Sequence, residues 1–112
     1  MERNAEINIK VNLNNDNFPE QIKWDATEAN FDGMKEAQAM FLSFWDKEEK
    51  ATLSIDLWTD EMLVDDMNAH YFQVFLKMAD TYYNSSKNAE VADFIKQFAV
   101  SFARKMNLNI KG

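Results

Sequence analysis

No cysteine occurs among the 112 residues, which excludes a disulfide framework, a thiolate nucleophile and any cysteine-ligated metal site. A single histidine, His70, excludes multi-histidine metal centres and leaves any catalytic triad with one choice of base. The two glycines, Gly33 and Gly112, are too few for a phosphate-cradling glycine loop. No serine sits in a glycine-flanked nucleophile elbow. Basic residues are outnumbered, 12 against 19 acidic, for a formal charge of −7. That balance repels nucleic-acid phosphates and anionic headgroups at long range. Long apolar runs are also missing. The opening MERNAEINIKVNLNND alternates instead, so neither a signal peptide nor a membrane span is read there, and a cytoplasmic location is the expectation.

What the chain does have is apolar bulk. Hydrophobic residues make up 46%, with 9 Phe, 3 Trp, 3 Tyr and 7 Met. Large side chains of this kind can offset chain entropy without metal or disulfide staples. The length is that of one domain, so a single domain over residues 1–112 with one core is expected.

Residues 6–13 place Ile7, Ile9, Val11 and Leu13 on one face and Asn8, Lys10 and Asn12 on the other, the period of two of a half-buried strand. Residues 21–27 repeat the pattern with Ile22, Trp24 and Ala26, and NNDNFPE between them supplies turn residues. From Phe31 the spacing of Met34, Ala37, Phe41, Phe44 and Trp45 predicts a first helix to about Asp46, with Asp32 as its N-cap. DKEEK reads as a charged turn. Residues 52–58 then form a third strand with Leu53, Ile55 and Leu57 inward.

Thr59 or Asp65 can cap a second helix, whose face is marked by Val64, Met67, Tyr71, Phe75, Met78 and Tyr82. NSSKN breaks it. A third helix carries Val91, Phe94, Ile95, Phe98, Phe102 and Met106 as its stripe, and Arg104, Lys105 and Lys111 lie near its C-terminus, where the helix dipole favours cations. The expected fold is α+β in the order β-β-α-β-α-α. Its three-stranded antiparallel sheet has strand order 2-1-3, with three helices packed on one face.

Several blocks in a common order resemble one family: Trp45-Asp46-Lys47, Ile55-Asp56-Leu57-Trp58-Thr59, Glu61-Met62 and Met78-Ala79-Asp80-Thr81. The hairpin with Pro19-Glu20 and Trp24, and the final helix with Phe102-Ala103 and Lys105-Met106, fit the same pattern. By these motifs the chain resembles the gliding-motility protein C (GldC) family over nearly its whole length. The resemblance implies a cytoplasmic accessory protein of bacteria that glide with a type IX secretion apparatus. It implies no enzymatic activity and no cofactor, so no catalytic motif is carried over.

The acidic group Asp56, Asp60, Glu61, Asp65 and Asp66 is the obvious place for a hard cation or an acid/base pair. It lacks the alternation and central glycine of a calcium loop, and helix-start dipole compensation accounts for the same residues. His70 flanks an apolar helix face and reads as a spacer. More informative is an excess of apolar surface. Phe72, Leu76 and Tyr83 widen the second helix's apolar sector beyond the stripe one covered face needs. Trp58 falls by parity with Thr52, Ser54 and Asp56 on the polar face unless the strand ends at Leu57, the preferred reading, which lets Trp58 fold under the following helix.

Trp58, Phe72, Leu76 and Tyr83 are therefore the candidate partner-binding residues, in an adaptor that binds another protein of the gliding or secretion machinery. A homodimer through a sheet edge is a further expectation, because a three-stranded sheet has two edges to protect. Two alternatives stay open: a small enzyme or small-molecule binder built on the acids and His70, and a chaperone-like helper for an exported client.

Overall fold

A computed structural model of the chain describes residues 3–108; Lys111 and Gly112 lie outside them. Five strands precede two helices: β1 (Ile7–Leu13), β2 (Pro19–Ala26), β3 (Lys35–Ala37), β4 (Ala39–Asp46), β5 (Ala51–Trp58), α1 (Val64–Ser86) and α2 (Ala89–Lys105). The chain divides into two compact units, Met1–Met62 and Leu63–Gly112.

In the first unit β1, β2 and β3 form an antiparallel sheet in that order. The expected hairpin between the first two strands is present. Its loop is held by Asn14, whose Oδ1 accepts from the N–H groups of Asp16 and Phe18 at 2.8 and 3.0 Å. Asn17 takes a positive φ of 61°, a conformation that asparagine tolerates better than most residues. The register sets Ile9 against Trp24 and aligns Val11, Ile22 and Ala37 across three strands. Ile22, at 1% exposed, is the largest fully buried side chain among the described residues. The opposite face is a polar ladder in which Asn8 donates to Asp25 (2.9 Å), Asn12 to Gln21 (3.1 Å) and Gln21 to Glu36 (3.2 Å). Trp24 meets Phe31 edge-on at 5.1 Å, and Lys35 lies over the Phe31 ring.

β4 and β5 form a separate two-stranded sheet. Here the sequence expectation fails in two linked respects. Residues 31–46 hold no helix; they carry β3 and β4, and Asp32 caps nothing. The strand order 2-1-3 is replaced by β1-β2-β3, with residues 51–58 paired to the very segment read as helix. The α+β class stands, but with two helices and two sheets instead of three helices on one sheet.

The physical reason lies in the run AMFLSFW. Both parities of β4 are largely apolar, so alternation is invisible, and its spacing satisfies a helix equally well. The segment also lacks Val, Ile and Thr, so local propensity leans towards helix. Eight aligned residue pairs with β5 override it. The charged turn that was expected does close this hairpin. Asp46 Oδ2 accepts from the N–H groups of Glu48 and Glu49 (3.1 and 2.7 Å), and Lys50 occupies the left-handed region at φ 54°.

In the second unit α1 and α2 form an antiparallel helical hairpin close to the expected spans. α1 begins after Leu63, with no side-chain cap, so neither Thr59 nor Asp65 serves as one. Asp65 and Asp66 lie in its first turn, where the positive dipole end favours them. It ends at Lys87, whose positive φ of 61° directs its N–H to the Tyr83 carbonyl. Asn88 then caps α2, its Oδ1 accepting from Val91 N–H at 3.1 Å. Arg104 and Lys105 occupy the last turn as expected.

Candidate interaction surface

The helical hairpin is held by its smallest apolar side chains. The buried residues of α2 are Ala92, Ala99 and Ala103, and that of α1 is Ala79. Spacings of seven and four put the three α2 alanines on one line of the helix, where small side chains let two backbones come close.

The phenylalanine stripe of α2 lies to one side of that line. Phe75 of α1 reaches it, with ring centroids 5.2 Å from Phe98 and 5.3 Å from Phe102, both edge-on. Beyond Phe75 the stripe is open: Phe94 is 75% exposed and Phe98 54%. Tyr71 and Met78 of α1 are also exposed large apolar side chains. Two helices share one contact line, so a helix with a wide apolar sector must leave part of it uncovered or dock it elsewhere.

At about 100° per residue, Phe72, Leu76 and Tyr83 fall on the other side of Ala79 from Phe75. Phe72 and Leu76 are half-buried; Tyr83 is exposed, with the Lys87 ammonium over its ring at 5.5 Å. These three expected residues thus share one flank of α1. Trp58 belongs to the other unit. Phe94 and Phe98, the most open aromatics of the helical unit, were expected in the core, and the alanines at 92, 99 and 103 are the signal that relocates them.

Contrary to the preferred reading, β5 continues through Trp58, so the indole keeps its parity with Thr52, Ser54 and Asp56 and stands opposite Ala39. It is half exposed and meets Phe18 edge-on at 6.3 Å. A shallow groove of about 170 Å³ is lined by Phe18, Pro19, Asp56, Leu57 and Trp58. Its one ionisable group, Asp56, gives it little means to orient a small polar substrate.

Asp56, Asp60, Glu61, Asp65 and Asp66 are all exposed. His70 is half-buried on α1. Among the described residues no group of three His, Asp or Glu side chains is placed to hold a metal ion. No helix among them is long and apolar enough to cross a membrane.

These features define a class: a small α+β protein with large apolar side chains exposed on each of its two units. Within that class, residues 19–108 match the model of the family described as gliding motility-associated protein GldC-like. The chain belongs to this gliding motility-associated family. No curated protein and no solved structure matches it.

Proposed function

We propose that the protein is a non-enzymatic, cytoplasmic accessory component of the gliding motility and type IX secretion machinery, acting by contact with another protein of that machinery. The observation that carries this reading is the open aromatic flank of the helical unit, with Phe94 and Phe98 at its centre. Aromatic and methionine side chains are enriched at protein contacts, the aromatics for their area and methionine for its adaptability. Tyr83 and Trp58 are the most open of the expected contact residues; Phe72 and Leu76 support the opposite flank of α1. The exposed acids favour solubility over substrate chemistry, which needs a desolvated carboxyl near its target.

The test is capture of a defined protein from the cytoplasm of a gliding bacterium by the immobilised chain. Substituting Phe94→Ser and Phe98→Ser together abolishes capture while the melting profile keeps its cooperative transition. An adaptor holds its partner when excess unfolded carrier protein is added; a chaperone-like helper releases it. Capture of the same protein by the doubly substituted chain sinks the proposal.

A further inference from the structure

We infer that the groove lined by Phe18, Pro19, Asp56, Leu57 and Trp58 seats one arginine side chain of a partner protein. This deepens the contact role proposed above and rests on it only in taking the partner to be a protein. The groove belongs to the first unit, whereas Phe94 and Phe98 belong to the second.

Phe18 and Trp58 meet at 81° with ring centroids 6.3 Å apart, so the two rings form walls at nearly a right angle. The Trp58 indole is half exposed, which leaves π surface open to a ligand. Asp56 precedes it by two positions on the same face of β5, and its carboxylate is the only charge in the lining. Pro19 and Leu57 complete an apolar surround. Ring faces attract cations through their quadrupole, and a carboxylate beside them adds a full negative charge and two acceptor oxygens. A cation with a flat, weakly hydrated body satisfies both at once.

The charges around the groove have one sign. Residues 11–22, which include Phe18 and Pro19, carry Asp16 and Glu20. Residues 51–62, which include Asp56, Leu57 and Trp58, also carry Asp60 and Glu61. Neither stretch contains a lysine or an arginine. Residues 37–43, which hold the β4 partners of Asp56, Leu57 and Trp58, are uncharged. Charge complementarity therefore selects a cationic occupant. Arginine suits an open, shallow groove better than lysine does. Its planar guanidinium stacks on an indole, presents a fork of donors to a carboxylate, and is less strongly hydrated than an ammonium.

The chain's own arginines, Arg3 and Arg104, are placed elsewhere by local structure. Arg3 pairs with the Glu28 carboxylate. Arg104 sits in the last turn of α2, where the helix dipole favours it.

The experiment follows the indole N–H of Trp58 in the full chain by proton–nitrogen correlation spectra, with Trp58→Phe to assign the signal. The probe is the blocked peptide acetyl-glycyl-arginyl-glycinamide, titrated to millimolar concentration. The Trp58 indole and Leu57 amide signals shift and saturate. The same peptide with citrulline, which keeps the shape and loses the charge, produces no saturating shift, and the lysine peptide binds more weakly. Asp56→Asn, a nearly isosteric change at an exposed position, weakens the arginine peptide roughly threefold. Arg104→Gln leaves the Trp58 signal of the free protein where it was. No saturating shift with the arginine peptide overturns the proposal, as does equal binding of the citrulline or lysine peptide, or undiminished binding by the Asp56→Asn chain. A free-protein Trp58 signal that moves on Arg104→Gln also overturns it, because the seat then belongs to an arginine of this chain. Capture through Phe94 and Phe98 is read separately, so either proposal fails without the other.

Discussion

Replacing Ala99 by leucine and, separately, Phe94 by alanine reverses the ranking that side-chain size suggests. Ala99 is 0% exposed and lies on the line where α2 meets α1. Leucine and alanine have nearly equal helix propensity, so the change reports packing alone. Three added carbons in a site with no free surface cost about 1 to 3 kcal/mol. For a domain of this size each kcal/mol moves the midpoint by roughly 4 to 8 °C, so Ala99→Leu lowers it by roughly 10 °C.

Phe94 has only a quarter of its side chain out of water. A quarter of about 200 Å² at ~25 cal/mol per Å² is about 1 kcal/mol, an upper bound set by the extended reference chain. Alanine's better helix propensity returns about 0.5 kcal/mol of it, leaving a midpoint within roughly 4 °C of the parent. Thermal and guanidinium melts followed by far-ultraviolet dichroism read both variants. If Phe94→Ala costs more than Ala99→Leu, the phenylalanine stripe is the true helix–helix seam and the reasoning about the alanine line fails.

Two further outcomes follow from local structure. Ile22→Ala removes the largest fully buried side chain and lowers unfolding free energy by about 2 to 5 kcal/mol, measured by denaturant titration. Asn88→Ala removes the cap on Val91 N–H and costs about 1 kcal/mol, whereas Asn88→Asp, which keeps an acceptor at the positive end of α2, restores the parental midpoint.

Where one face of an element is polar and the other apolar, the sequence was legible. β1 and β2 were located by Ile7-Ile9-Val11 against Asn8-Lys10-Asn12, and their loop by its asparagines. The α1–α2 break at NSSKN was equally plain, because Lys87 and Asn88 do locally what a helix end and a helix start require. β4 was not legible, since a strand apolar on both parities has no period to read. The open apolar surface of the helical unit was legible only in part. An excess of apolar side chains on α1 was visible, but α2's stripe of Phe94 and Phe98 looked like core, because large residues at helical spacing usually are.

The sequence by itself determined composition-level facts: no thiol chemistry, no multi-histidine centre, an acidic balance of charge, and the break between two helices, which rests on the adjacent Lys87 and Asn88. It also carried the motifs that place the chain in the gliding-associated family. Tertiary structure alone decided that residues 39–46 pair with 51–58 and that alanines take the buried centre of the helix contact, with Phe75, Phe98 and Phe102 along its side. Both outcomes are choices among apolar surfaces of similar local merit. Such choices are settled by which partner segment supplies the matching backbone edge or the closest approach, and that partner is distant in the chain.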